Sequence, residues 1–165
     1  MFQSLMAFLS SETAGDVARG VNRLLIQEGF SPILEFTLAN GRRLDVAALG
    51  ADGTIVGVEI KVAVADLKGD QKWPEYLEFC ELFYFAIPPK FPDELVPPGT
   101  GLIVADRYGG AIVRPAAHTP IHASRRKAVT LSFAKCAAER LSLLLEQATE
   151  IGAVPLLTED EPTLR

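Results

Sequence analysis

The chain has 165 residues, 48% of them hydrophobic and 22% charged, which excludes disorder and suits one domain that buries a core without staples. A net charge of −5 argues against a sequence-independent nucleic-acid coat protein, whose affinity rests on many Lys and Arg contacts to phosphate, yet leaves room for an enzyme with one local basic patch. Part of that charge sits in a C-terminal acidic run (Glu146, Glu150, Glu159, Asp160, Glu161) that can lie away from any site.

The apolar opening MFQSLMAFLSS lacks a basic flank and is shorter than the roughly 20 residues of a membrane span, so no membrane association and a cytoplasmic location are expected. Ser10 to Thr13 offer helix caps. Val17, Val21, Leu24 and Leu25 then repeat at helical spacing, predicting a helix over Ala14 to Glu28 that stops at Gly29. Ile33 to Leu38 alternates as a strand, Asn40-Gly41 is a hairpin signal, and Arg43 to Leu49 is the returning strand. A turn at Ala51-Asp52-Gly53 leads to a third strand, Ile55 to Val62.

Helix is expected from about Val64 to Phe79, broken by Gly69 and Pro74 or split into two short pieces. Leu82 to Ile87 has no polar residue, as a strand covered on both faces requires. After a proline-rich loop, Gly101 to Ala105 and Ala111 to Val113 form two short strands around Tyr108-Gly109-Gly110. Ser124 to about Thr149 is a long helix with an apolar face through Leu131, Ala134, Ala138, Leu141 and Leu145. The order α-β-β-β-α-β-β-β-α describes one mixed α/β domain over residues 1–165, its core at about 13–148 and a tail at 150–165.

The stretch GRRLDVAALGADGTIVGVEIKV carries the chemistry. Glu59 and Lys61 are two apart on one strand and so share a face, and a hairpin pairing brings Asp45 beside Glu59. Two carboxylates hold a hard cation, Mg²⁺ or Mn²⁺, which polarises a phosphate and lowers the pKa of a bound water; a neighbouring lysine orients that water or stabilises developing charge. Glu59 follows Val56 and Val58 in an apolar strand, where an unpaired charge is costly. The bland alternative is a surface Glu–Lys ion pair.

With GRRLDVAAL, VEIK, DLKGDQKWPEYLEFCELFYFAIP and GLIVAD, the sequence resembles the PD-(D/E)xK nuclease superfamily and, more narrowly, the MmcB-type DNA-repair endonucleases of bacteria, over roughly residues 13 to 145. The resemblance implies a restriction-endonuclease-like αβββαβ core with a mixed sheet. It implies Asp45 and Glu59 as metal ligands, with the Ile60 backbone carbonyl between them, and Lys61 as the catalytic lysine. Lys72 and Tyr76 match a pair that relatives carry one helical turn apart after ExK, for phosphate contact and site support, with Asp70 assisting. Leu44 stands where relatives have proline, and Val62 and Ala63 where small hydroxyl residues are common. Asp16 and Glu12 are loose candidates for a first-helix acid. Glu35 is read as a site-proximal acid, the alternative being a solvent-side partner of Arg42 or Arg43.

Arg42, Arg43, Lys72, Arg125 and Arg126 are the candidate DNA contacts. The Arg125-Arg126-Lys127 run works against the macrodipole at a helix N-terminus, so it either binds phosphate or pairs with nearby acids. Trp73 either stacks on a base or packs beside Pro74. His118 and His122 flank Pro120 and make no helical zinc pair, and Cys80 and Cys136 read as free thiols without metal spacing. No phosphate-binding GxxxxGK[ST] loop, GxGxxG or GxSxG elbow is present. Function reads as a metal-dependent DNA endonuclease of repair; the alternatives are a non-catalytic DNA- or protein-binding module on the same fold, or a domain in which Glu59 and Lys61 merely pair. A homodimer and a repair-protein partner are both compatible with the sequence.

Overall fold

The computed structural model describes residues 12–153. The opening segment through Ser11 and most of the C-terminal tail, read above as a short apolar lead and an acidic run, lie outside the described residues. The first helix, α1, spans Ala14–Gln27; Thr13 and Asp16 form a reciprocal capping box at its start. Gly29, at φ 84°, takes the left-handed turn that releases the chain into β1.

Strands β1 (Phe30–Thr37), β2 (Arg43–Gly50) and β3 (Ile55–Ile60) form an antiparallel meander. The crossover to β4 (Leu82–Ile87) carries a short helix α2 (Val64–Gly69) and a 3₁₀ turn (Trp73–Tyr76). β4 lies parallel to β3, and β5 (Gly101–Ala105) parallel to β4; β6 (Gly110–Arg114) returns antiparallel. The six strands are thus ordered in space as in sequence, in one mixed sheet. The last helix, α3, spans Ala123–Glu150. Among the described residues no helix is long and apolar enough to cross a membrane.

Alternation decides which residues meet α1. Val46, Ala48, Val56, Val58, Tyr84, Ala86 and Ile103 point to one face of the sheet and bury against Val17, Val21, Leu24 and Leu25. Phe83 and Phe85, between them in sequence, turn to the other face, where Trp73 and Tyr76 pack on them. The crossover therefore closes the second face, as the wholly apolar β4 requires.

The helix expected over Val64 to Phe79 is two short pieces, because Gly69 weakens one end and Pro74 denies a helical N–H to the other. In α3 the buried positions are Val129 and Phe133, not the stripe through Leu131 and Leu141, which are 62% and 57% exposed. The chain divides within α3 into two compact units, between Thr130 and Leu131. The second contains a helical run that exposes Leu131, Leu141, Leu143 and Leu144.

Gly20 marks the closest approach of α1 to the β5–β6 turn. A Cβ there would lie 2.1 Å from the Asp106 carbonyl oxygen and 2.4 Å from that of Gly109. Gly20→Ala gains about 1 kcal/mol of helix propensity. It loses about 3 kcal/mol to overpacking against rigid backbone. The net, roughly 2 kcal/mol of destabilisation, should appear in urea denaturation as a lower midpoint with unchanged slope.

Candidate active site

The β2–β3 register runs from Leu49↔Ile55 to Val46↔Val58 and then stops. Beyond it the Asp45 carboxylate replaces the ladder: its Oδ2 accepts the Ile60 N–H at 2.7 Å. Strand β3 goes on pairing with β4, and the Lys61 N–H donates to the Ala86 carbonyl at 2.9 Å. One flank of β3 is thereby held by β4, while on the other the Asp45 side chain takes over from the backbone ladder, close enough to Glu59 for the two charges to act on each other.

Glu59 and Lys61 are each only 8% exposed. The Lys61 ammonium donates to Glu59 Oε1 at 3.2 Å and lies 2.8 Å from Asp70 Oδ2. Asp70 is itself pinned, its Oδ1 accepting the backbone N–H groups of Lys72 at 2.9 Å and Trp73 at 3.2 Å. This turn, rather than a helical face, brings Lys72 and Tyr76 to the same cleft. The Tyr76 hydroxyl donates to the Arg43 carbonyl at 3.3 Å and ties the turn to β2.

The electrostatics follow from this crowding. Burial pushes Glu59 up to about 7, and the Asp45 charge adds to the rise. Burial also raises Asp45, against the lowering effect of the Ile60 N–H. For Lys61, burial favours the neutral amine, but the bond to Asp70 and the Glu59 charge outweigh it and hold the ammonium above its ordinary value. Asp70 is lowered despite burial, through Lys61 and the two backbone N–H groups. Burial raises Tyr76 well beyond the usual phenol range, so its hydroxyl stays a neutral donor.

Glu59 Oε2 is buried and has no hydrogen-bond partner. Among the described residues no cluster of three or more His, Cys, Asp or Glu side chains is arranged to hold a metal ion. Two carboxylates with an unsatisfied, desolvated oxygen still fit a hard cation of the Mg²⁺ type, which takes few protein ligands and leaves the rest to water and phosphate.

The other predicted residues distribute as follows. Glu35 lies across from Asp45, between the pairs Leu34↔Val46 and Phe36↔Leu44, and ion-pairs with Arg43 at 3.6 Å. Glu35 is thus an exposed partner of Arg43 and does not line the cleft; its charge adds only the smallest of the effects on the Asp45 carboxyl, behind burial, Ile60, Lys61 and Arg43. Its φ of 50° is the one positive value among the described non-glycine residues. Arg42 is clamped by both oxygens of Glu75, at 2.8 and 2.9 Å. Arg125 pairs with Glu78 at 2.5 Å over the Phe79 ring, and Arg126 pairs with the buried Glu81.

Glu81 also accepts the Ile55 N–H, at the start of β3, whereas Glu59 and Lys61 sit at its end. The structure therefore does not bring Arg125 and Arg126 to the cleft. Asp16 caps α1 and pairs with Arg107 instead of approaching the site. Trp73 packs on Phe83 with ring centroids 5.9 Å apart, and His122 bonds Ser124.

Sequence reasoning missed Asp66, which lines the cleft from α2, and Glu81, whose partners are distant in sequence. The acid-rich run DLKGD was the available signal for Asp66; Glu81, embedded in an apolar run, carried the same buried-charge signal as Glu59.

Residues 3–148 match the family described as DNA repair protein MmcB-like. Among solved structures, a protein of unknown function from Silicibacter pomeroyi is 38% identical, with a TM-score of 0.76 over 88% of this chain and 97% of that one. No curated protein matches. The family match spans the whole described sheet together with the Asp45, Glu59 and Lys61 cluster, and the chain belongs to the MmcB-like family of DNA repair proteins.

Proposed function

We propose that this protein is a divalent-cation-dependent DNA endonuclease of repair, with a centre of the PD-(D/E)xK kind. The observation that carries the reading is the pair of desolvated carboxylates, Asp45 and Glu59, beside an ammonium that a third carboxylate already holds. Burying such a pair costs stability, and a charge at the end of an apolar strand is retained where it binds something.

The cleft of about 480 Å³ is lined by Glu59, Asp66 and Asp70 against Lys61 and Lys72. That excess of acid would repel a phosphate, and a cation reverses the sign. Asp45 and Glu59, with the Ile60 carbonyl, would hold Mg²⁺ or Mn²⁺; when bound, the ion supplies Lewis-acid polarisation of the phosphate and a water of lowered pKa. Asp45 is oriented by the Ile60 N–H and so presents its carboxylate without rotamer freedom. Lys61 stays charged and is held by Asp70, so it can donate to an oxygen of the phosphate or of the attacking water even when Glu59 turns to the ion. Lys72, exposed at the rim, supplies a phosphate contact, and Tyr76 fixes the wall of the cleft. Arg43 is a second contact for the strand; Arg42 serves through its clamp on Glu75.

The test is cleavage of labelled single-stranded, nicked, mismatched and branched DNA with Mg²⁺ or Mn²⁺, wild type against Asp45→Ala. Cutting by wild type alone, with both proteins showing the same circular dichroism, is the expected result. Cutting by neither, with DNA or a repair protein still bound, would overturn catalysis in favour of a binding module.

A further inference from the structure

A protein of net charge −5 that holds DNA must gather positive charge where the strand passes. Most of the described arginines are spent one to one on carboxylates: Arg42 on Glu75, Arg43 on Glu35, Arg125 on Glu78 and Arg126 on Glu81. Arg114 donates to the Pro97 and Thr100 carbonyls.

Arg19, Arg23 and Arg107 differ. Their ion pairs reach a single carboxylate, Asp16, 3.8 Å from Arg19 and 3.5 Å from Arg107, while Arg23 donates to the Tyr108 carbonyl at 3.0 Å. Asp16 is itself turned inward, its Oδ2 accepting the Thr13 hydroxyl at 2.8 Å and the Thr13 N–H at 3.2 Å. Asp106, beside them, is folded back in the same way, its Oδ1 accepting the N–H groups of Tyr108 and Gly109. The acids thus serve the cap and the turn, and the three guanidiniums are left exposed. Arg19 and Arg23 are one helical turn apart and present to the same side of α1.

This cluster lies on the edge of the sheet that carries the carboxylates. β3, β4 and β5 run parallel, Ile60 level with Ala86 and Ala86 with Ile103, so their carboxyl ends share one edge. In open α/β sheets that edge is where ligands bind. Each of the three strands brings a cation to it in spatial order: Lys61 from β3, the exposed Lys90 three residues past β4, and Arg107 two past β5. Two strand spacings and about three residues of rise separate Lys61 from Arg107. That is on the order of 14 Å, or about four base steps of one DNA strand.

We propose that Arg19, Arg23 and Arg107 form a phosphate-gripping surface for the DNA held at the carboxylate cluster, the duplex crossing the carboxyl edge of the sheet past Lys90. The proposal rests on the reading of the protein as DNA-binding, and it places the main backbone grip on α1 and the β5–β6 turn rather than on α3.

The test follows binding of a short labelled duplex to the full chain by anisotropy in EDTA, where metal-dependent cutting does not intervene, across a range of salt. Arg19→Gln should lower the slope of log Kd on log salt by about one, and Arg23→Gln combined with Arg107→Gln by about two, because each lost phosphate contact leaves one fewer counterion to release. Arg107→Lys keeps the charge and should keep the wild-type slope. Arg19 is 71% exposed and takes no part in the capping box, so Arg19→Gln reports on DNA even where the double variant, which deprives Asp16 of Arg107, loses its fold.

DNA bound by Arg19→Gln and by the folded double variant with the wild-type slope overturns the arginine surface and leaves the nuclease reading standing. DNA bound by no form of the protein, wild type included, overturns both. Lowered slopes in a protein whose wild type cuts no DNA when Mg²⁺ is restored support the surface and overturn the nuclease alone.

Discussion

Glu59→Gln is expected to abolish DNA cleavage and, without divalent cation at pH 8, to make the protein more stable than wild type. The two effects have one cause. In the folded chain Glu59 titrates at about 7, because burial and the Asp45 charge both oppose its ionisation. Its reference value is 4.5. Between those values the folded state holds a proton that the unfolded state has lost, so stability falls as pH rises from about 4.5 to about 7 and then levels off. The accumulated penalty is roughly 3 kcal/mol.

A glutamine carries none of it. It gives up the Glu59–Lys61 pair, but Lys61 keeps its shorter contact to Asp70. A net gain of roughly 1–2 kcal/mol, or a few degrees in Tm, is expected at pH 8 and none at pH 5. Cleavage should fall at least about a thousandfold, since several kcal/mol of metal-borne stabilisation go with the ligand. Saturating Mg²⁺ should invert the order of melting temperatures by stabilising wild type alone. A wild-type Tm that is flat from pH 5 to 8, or a glutamine variant less stable at both ends, would sink this account.

The same cluster shows how far a single sequence carries. Glu59 and Lys61 were legible because strand alternation is strict and a charged pair in an apolar strand is conspicuous. β4 and β5 fall where the apolar runs predict, since strands covered on both faces leave no choice of residue. The crossover was harder. Spacing of Lys72 and Tyr76 suggested one helical face, yet Gly69 and Pro74 break the helix, and the two residues reach the cleft because Asp70 pins the intervening turn. That contact depends on tertiary position and has no local signature.

The partners of the basic residues were invisible for the same reason. Arg42 meets Glu75, and Arg125 meets Glu78, across 33 and 47 positions of chain. In α3 the helical period was right but the buried stripe is rotated, because a helix with many alanines and leucines offers more than one apolar face.

Arg126→Ala should cost stability rather than DNA affinity. Its partner Glu81 stitches three segments together: Oε2 accepts the Ile55 N–H at 2.7 Å, its own N–H donates to the Ile55 carbonyl at 2.9 Å, and its carbonyl accepts from the Thr119 N–H at 2.9 Å. The carboxylate is fully buried, while the Arg126 side chain is 41% exposed. Truncating the arginine strands a charge in the core, an effect of roughly 3 kcal/mol, at the low end because solvent screens the outer part of the pair. Adding Glu81→Gln should recover much of the loss, since a neutral amide oxygen still accepts the Ile55 N–H and leaves no charge to compensate. The pair therefore couples strongly in a double-mutant cycle. If Arg126 instead gripped phosphate, the single variant would unfold like wild type, bind DNA more weakly and reduce the dependence of log Kd on log salt by about one. Because Glu81 sits at the start of β3 and the carboxylate cluster at its end, urea denaturation and a salt titration on this one variant separate what holds the sheet together from what meets the DNA.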